Sequence, residues 1–397
     1  MVVLSNNDGC VIARSEESKA LGIKMGDVFY QVKDVLEKNG VAVFSSNYNL
    51  YGDMSRRVMS LLSTYTPKLD IYSIDEAFLD LTGMGDIEFL SSYCKQMVRD
   101  ITKGTGIPIS LGVAPTKTLA KMASKYAKKH KGYEGACFID TEEKREKALK
   151  LFPVEDVWGI GYRHVKKLAY HGIHTAWDLT QRSESWIRKE LTITGVRTWK
   201  ELRGESCVSI DEPPHKKSIC TSRSFSGSGL NKLADVEEAV ANFAAACSRK
   251  LREGHIVCSS VTVFAHTSRF RIDVPQNYIY RTINLVVPTN DMQELVAVAV
   301  KTLREDWKEG GFLYKKAGVI VWNTCEDKAI QGNLFDEVNR EKQAALAKAI
   351  DAINHKNGHN TIRMAVQGYS RNWHLKNEYI SKQYTTNLKD IIVVKAK

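Results

Sequence analysis

The chain has 397 residues, 43% hydrophobic and 26% charged, an ordinary globular composition with material for two to four domains. Its net charge of +11 favours a polyanionic partner, nucleic acid first. No run of 18 apolar residues exists, and MVVLSNNDGC lacks the basic and apolar regions of a signal peptide, which excludes a membrane-spanning helix and a secretory leader.

In chain order, Met1-Val2-Val3-Leu4 opens as an apolar strand that runs into the loop Ser5-Asn6-Asn7-Asp8-Gly9. A lone strand at a chain start needs partners from later in the chain, and it leaves room for something before it. Val41–Phe44 reads as a short strand and Met54–Leu62 as a helix by its apolar rhythm. Leu69–Ser73 and Ala77–Leu81 read as strands around a tight Ile74-Asp75-Glu76 turn. Phe89–Ile101 is a helix with Leu90, Tyr93, Met97 and Ile101 on one face. Ile109–Val113 is a strand, followed by a helix from Pro115 or Thr116 to about Lys129. Residues 151–207 are nearly all helical with glycine-marked turns, and Asp211-Glu212-Pro213-Pro214 is a linker. Beyond it come the strand Ile219–Phe225, the helix Ala234–Glu253 and the strands Val257–Thr267 and Tyr280–Val287. The helix Met292–Lys308 and the strand Ala317–Trp322 follow. A four-stranded sheet backed by two helices is the natural packing of that set. Residues 326–340 are polar, a helix spans 341–353, and a basic tail rich in Tyr, Lys and Asn closes the chain. Eight cysteines are scattered with no C-x-x-C pair and no Cys/His spacing suited to zinc, as expected of free thiols in a reducing cytosol.

Four stretches carry candidate chemistry. In Tyr72-Ser73-Ile74-Asp75-Glu76-Ala77-Phe78-Leu79-Asp80, two adjacent carboxylates sit at a strand-to-strand turn at the rim of a sheet. Two-metal phosphoryl transfer needs hard oxygen ligands placed this way; by itself such a turn is more often a plain polar hairpin tip. The helix from Pro115 carries Lys117, Lys121, Lys125 and Lys129 at i, i+4, with no acid between Pro115 and Tyr133. Stacked lysines repel by a few tenths of a kcal/mol per pair, which a bound phosphate would relieve; a solvated helix face is the other reading. Val157-Trp158-Gly159-Ile160-Gly161, with Leu168 and Gly172-Ile173, has the pattern of a helix-hairpin-helix. Its glycines let backbone N–H groups approach a DNA phosphate; the other reading is a glycine-capped helical hairpin. Gln331-Gly332-Asn333-Leu334-Phe335-Asp336 sets two large apolar residues in a polar stretch, either a peptide for a partner's pocket or a local core contact.

At these residues the chain resembles the Y-family translesion DNA polymerases, in their UmuC branch. The resemblance spans essentially all 397 residues in order. It includes Ser5-Asn6-Asn7-Asp8-Gly9-Cys10-Val11-Ile12-Ala13-Arg14-Ser15, and Ser45-Ser46-Asn47-Tyr48 with Leu50-Tyr51. Ser73 to Phe78, Thr116 to Lys121, Val157 to Gly161 and Gln331 to Asp336 complete it. It implies a multidomain α/β and α+β protein with a right-hand polymerase layout. Palm and fingers would occupy 1–150, a helix-hairpin-helix thumb 151–210, a little finger 216–325, and a clamp-binding segment with basic tail 326–397. Asp75 and Glu76 then match catalytic, Mg2+-binding carboxylates. Lys121 matches a triphosphate-contacting lysine, with Lys19 and Arg14 among the nucleotide-binding residues. Lys117, Lys125, Gly159, Gly161 and Lys166 fall on the DNA. Gln331, Leu334 and Phe335 match a sliding-clamp peptide.

The implied activity is error-prone translesion synthesis in the SOS response, on primer-template DNA with dNTP and two Mg2+ ions, in the cytoplasm. A UmuD-type partner and a recombinase filament are implied by the resemblance alone. The family opens with an Asp-bearing strand and a Phe-Tyr-Ala-Ser-type segment, upstream of the strand that is here Met1–Leu4. Neither is in this sequence, so one metal ligand and the sugar-reading aromatic are expected to be missing. A catalytically impaired DNA- and clamp-binding remnant is therefore the second reading. A repair enzyme such as a glycosylase is the third; it leaves the Asp-Glu hairpin, the lysine helix and the 216–325 unit unexplained together.

Overall fold

The computed structural model describes residues 1–208, 216–328, 330–334, 336, 338–358, 360–369 and 372–395. The expected linker at Asp211 to Pro214 lies outside them. Contacts divide the chain into two compact units: Met1–Ser46 with Pro213–Ser381, and Asn47–Glu212 with Lys382–Lys397.

In the first unit Val2–Leu4 is the middle strand of three, antiparallel to Val11–Arg14 and parallel to Val43–Ser45. The opening strand thus finds both partners downstream. Alternation sends Val2 and Leu4 inward, where they meet Val11, with Ile23 and Leu36 completing the cluster. Leu36 comes from the helix Phe29–Lys38.

The larger sheet of this unit is antiparallel, in the order Tyr278–Thr289, Ile256–Thr267, Tyr314–Glu326, Ser218–Ser224. Val261, Val263 and Ala265 lie beside Ala317, Val319 and Val321 on its inner face. The helices Leu233–Glu253 and Met292–Asp306 cover that face with Ala239, Phe243, Leu251, Leu295 and Ala299. Each fully buried large aliphatic contributes about 1.5–3 kcal/mol. This is the four strands and two helices that the sequence pattern predicts, with Tyr278–Thr289 and Tyr314–Glu326 longer than expected and Ser218–Ser224 moved by one residue. On the other face Gly318 is required: a Cβ there would meet the Phe264 ring at 2.4 Å and Ser222 at 2.5 Å. The helix Arg340–Asn357 buries none of its residues and is held by ion pairs. Its Asp351 takes Arg252 in a two-pronged bond, at 2.7 and 2.8 Å.

The second unit begins with the helix Tyr48–Leu62, six residues longer at its start than the apolar rhythm of 54–62 predicts. Asn47 supplies the reason, since its side chain accepts from the Leu50 N–H as an N-cap. Leu69–Ile71 and Ala77–Leu79 form a two-stranded hairpin. The helix Ile87–Thr105 starts at Asp86, whose carboxylate accepts from Phe89 N–H at 2.8 Å, and it stops at left-handed Gly106. Leu111–Val113 pairs in parallel with Ala136–Phe138, and the lysine helix Lys117–Lys129 makes the crossover between them. Gly112 is required there, because a Cβ would stand 1.9 Å from the carbonyl oxygen of Ala120. The helices Glu142–Leu151, Tyr162–Tyr170, Ala176–Thr180 and Glu184–Leu202 follow. They share one core with the lysine helix through Leu119, Met122, Leu149, Leu168, Ile173 and Leu191.

The boundaries 1–150, 151–210 and 216–325 read from sequence differ from this division. Residues 1–46 group with the 216–325 sheet, and no break falls at 150, because Leu149 and Phe152 belong to the same core as Leu119 and Leu168.

Candidate active site

The hairpin turn is closed by its own backbone: Tyr72 and Ser73 both donate N–H bonds to the Glu76 carbonyl at 3.0 Å. Its strands are shorter than predicted, which leaves a five-residue turn, 72–76, rather than three. Ser73 organises the tip: its hydroxyl donates to the Asp75 carboxylate at 2.6 Å and accepts from the Asp75 N–H at 3.2 Å. Asp75 and Glu76 are both exposed, so the turn presents two carboxylates outward from a fixed backbone.

The lysine helix lies alongside. Thr116 caps it, accepting from Leu119 N–H at 3.3 Å, and the Thr116 hydroxyl donates to the Glu201 carbonyl at 2.8 Å. Lys121 Nζ sits 2.7 Å from Glu76 Oε1, 5.2 Å from the Tyr72 ring centre and 5.4 Å from that of Trp158. Lys117 Nζ sits 2.8 Å from Asp70 Oδ2 and 4.8 Å from the Phe78 ring centre. Lys125 pairs with Asp156. The sequence shows no acid within the helix stretch, yet three of its lysines meet acids contributed by the hairpin and by the turn Val154–Asp156. Like-charge repulsion along the stripe is therefore offset inside the protein before any ligand arrives.

Tyr72, Phe78 and Trp158 pack edge-on or tilted at 5.4–5.9 Å and form an aromatic floor beneath these cations. Trp158, inside the helix-hairpin-helix pattern, thus faces the hairpin. Its neighbour Gly159 has φ +91°, and Gly161 caps the helix Tyr162–Tyr170. Lys166, on that helix, lies 4.6 Å from the Tyr162 ring centre. The hairpin beyond it is tightened by Asp178, which accepts from the N–H groups of His174 and Thr175 at 3.0 and 2.9 Å.

Of the residues singled out, Asp75, Glu76, Lys117, Lys121 and Lys125 come together, with Gly159 following directly on Trp158. Lys117 was expected on DNA; its side chain is only 10% exposed and its charge meets Asp70. That position suits an internal ion pair better than a phosphate contact. Arg14 and Lys19 belong to the other unit. There Arg14 donates to the Ile23 carbonyl at 2.8 Å, and Lys19 pairs with Glu16 at 2.5 Å. Leu334 is fully exposed, Gln331 bonds only weakly to the Gly332 carbonyl at 3.4 Å, and Phe335 lies outside the described residues.

Sequence reasoning missed Asp70, Asp156 and Glu201. Asp70 had a usable signal, since it stands between the apolar Leu69 and Ile71 in the strand, where the register sets it opposite Phe78. Glu201 is fully buried. Its carboxylate accepts from Thr118 N–H at 2.9 Å and from Cys207 and Val208 N–H at 2.8 and 3.1 Å. It thereby fixes the first turn of the lysine helix. Asp80, a further carboxylate near the hairpin, is occupied by the Thr82 N–H at 3.0 Å and by Lys68 at 3.5 Å.

Residues 1–125 match the impB/mucB/samB family, residues 216–334 that family's C-terminal domain, and residues 344–394 a domain of unknown function. The chain is 41% identical to Protein UmuC of Salmonella typhimurium, over 100% of this chain and 94% of that protein. It is 39% identical to Protein ImpB of Salmonella typhimurium, over 98% and 92% of the two chains. In fold it is similar to a Y-family DNA polymerase chimera, Dbh-Dpo4(243-245)-Dbh, with a TM-score of 0.64 and 19% identity, covering 82% of this chain and 92% of that one. No helix among the described residues is long and apolar enough to cross a membrane. Matched over its whole length at this identity, with that fold around it, the chain belongs to the impB/mucB/samB family, the UmuC branch of the Y-family DNA polymerases.

Proposed function

We propose that the hairpin and the lysine helix carry out template-directed nucleotidyl transfer on DNA. A primer 3′-OH attacks the α-phosphate of a dNTP in line, a new P–O bond forms, and pyrophosphate leaves. The observation that carries this reading is the convergence of Asp75 and Glu76 with Lys121 across an aromatic floor. Lys121 and Glu76 pair at the surface, and a triphosphate arriving there exchanges one anionic partner of Lys121 for another. The lysine then neutralises charge that builds on the phosphates as the bond breaks. Lys125, held by Asp156, extends the same cationic row.

Asp75 and Glu76 are hard oxygen donors on an exposed turn. Such a pair suits Mg2+, which takes one or two carboxylates and fills its remaining positions with water and phosphate oxygens. Bound there, Mg2+ would supply charge neutralisation at the attacking and leaving oxygens. Gly159 and Gly161 leave backbone room for a DNA phosphate at the start of the helix Tyr162–Tyr170, with Lys166 nearby. Arg14 and Lys19 are assigned to the nucleotide by the family resemblance. So are error-prone synthesis past damage in an SOS response, the sliding clamp at Gln331, Leu334 and Phe335, a UmuD-type partner and a recombinase filament. Protein UmuC of Salmonella typhimurium, at 41% identity, supports that placement.

The test is primer extension with Mg2+ by the chain and by Asp75→Ala and Glu76→Ala. Extension by the parent and at least about a hundredfold loss in either variant is expected. If the parent binds primer-template DNA but does not extend it, the DNA- and clamp-binding reading replaces this one; if both variants extend as the parent does, the catalytic carboxylates are not Asp75 and Glu76.

A further inference from the structure

The C-terminal region matched to a domain of unknown function, residues 344–394, has no assigned role. Part of it lies within the first unit, and its contacts there are specific. Lys376 N–H donates to Asn7 Oδ1 at 3.0 Å, and Glu378 N–H donates to Asp8 Oδ2 at 2.9 Å. Tyr379 N–H donates to Ser45 Oγ at 2.9 Å, and its carbonyl accepts from Ser45 N–H at 2.9 Å. Ile380 makes a parallel bridge with Ser45. The segment thus covers the edge of Val43–Ser45 that Val2–Leu4 leaves open. The Tyr379 ring meets Phe29 edge-on at 5.6 Å and packs on the small core of the N-terminal sheet.

The receiving side is shaped for this. Asn7 and Asp8 are non-glycine residues at φ +61° and +49°, a conformation unfavourable to an L-residue and eased for Asn and Asp. Both turn their side chains to the segment. Asp8 is only 6% exposed, and its other oxygen accepts from the Ser45 hydroxyl at 2.7 Å. A buried carboxylate without such donors would be strongly unfavourable. Asn7 Nδ2 also donates to the Ser224 carbonyl of the large sheet at 2.7 Å. Six residues before Tyr379, Trp373 is buried against Phe243 at 5.7 Å, with its indole N–H on Glu238 at 3.1 Å and Arg223 over its ring at 4.9 Å.

We infer that Trp373–Ile380 is a latch: the C-terminal region binds the loop Asn6–Asp8 and the Ser45 edge, and so fastens residues 1–46 to the four-stranded sheet and its helices. The docking surface is the loop and edge, and its occupant is this chain's own segment. The proposal goes beyond polymerisation and does not depend on it. It predicts that the latch, and not the short N-terminal core alone, holds the segment bearing Arg14 and Lys19.

Hydrogen exchange on the full chain, read by mass spectrometry, tests it. In the parent, peptides covering 376–380 and 43–46 should exchange far more slowly than an unstructured segment. Glu378→Pro removes the N–H that Asp8 accepts while leaving residues 1–46 untouched. It should speed exchange at 43–46 by at least tenfold and leave peptides within Ile256–Thr267 unchanged. Trp373→Ala, at the other anchor, should speed exchange at 376–380 by a similar factor. Unprotected 376–380 in the parent, no change at 43–46 in Glu378→Pro, or equal acceleration in Ile256–Thr267 would each overturn the latch. The readout requires no DNA or nucleotide, so its failure leaves the polymerase reading standing.

Discussion

Replacing Lys121 by Ala separates what this side chain does for the fold from what it does for the reaction. Its ion pair with Glu76 is 23% and 46% exposed on the two sides. A pair that open is worth about 0–1 kcal/mol once solvent screening is counted. Its places over Tyr72 and Trp158 add about 0.5–1 kcal/mol. The variant should therefore lose about 0.5–2 kcal/mol of stability, a melting shift on the order of 1–8 °C for a unit of this size. In the proposed reaction the same ammonium would face phosphates whose charge grows toward the transition state, and losing one such donor would cost about 10²–10³ in rate. Single-turnover extension across a dNTP series, with both proteins below their melting points, gives the rate and the nucleotide affinity separately. Lys121→Arg should recover part of the loss, because the charge is kept and only the geometry changes. A near-parental extension rate in Lys121→Ala, or a melting shift much beyond 10 °C with activity lost in proportion, would refute the assignment.

Leu334 is fully exposed, so Leu334→Ala should abolish binding to a sliding clamp in a pull-down while its melting temperature stays within about 1 °C of the parent; a large drop would place the side chain in a core. DNA affinity should fall with salt at about 0.9 log units per log unit for each phosphate neutralised, and a flat titration between roughly 50 and 200 mM would contradict the +11 charge as its source. Glu201→Ala should cost about 3–5 kcal/mol in denaturant unfolding, because it strands the buried N–H of Thr118 and the half-buried N–H groups of Cys207 and Val208, whereas Glu201→Gln keeps one acceptor and should cost less. Burial pushes the Asp178 carboxyl up, but the N–H groups of Thr175 and His174 and the Thr175 hydroxyl outweigh it and hold the group below its usual range. A lowered folded pKa stabilises above the ordinary value near 4 and is lost as pH falls through the folded value, so the deficit of about 1 kcal/mol in Asp178→Ala should be present at pH 7 and shrink below about pH 4 in matched melts.

Local chemistry was legible in the sequence wherever one element could satisfy itself. Alternating apolar residues at Val261, Val263 and Ala265 predict a strand whichever helix covers them, and the two-helix backing follows because both helices are long enough to cover the sheet. Asp75 and Glu76 were legible because a turn shows its carboxylates in the sequence itself. The partners of the lysine stripe were not. Read along the chain, Lys117, Lys121 and Lys125 have no acids near them, and a bound phosphate is the natural remedy for their repulsion. Folding supplies another, since Asp70, Glu76 and Asp156 arrive from 31 to 47 positions away. Burial then sorts the three lysines: the Lys117 side chain is 10% exposed, while those of Lys121 and Lys125 keep 23% and 34% of their surface open. Charge count alone treats them as one row. The capacity to exchange a protein carboxylate for a phosphate belongs to the two that stay partly exposed, because only there does solvent soften the cost of opening the pair. On this argument the helix carries one lysine that holds the hairpin in place and two that remain free to change partners.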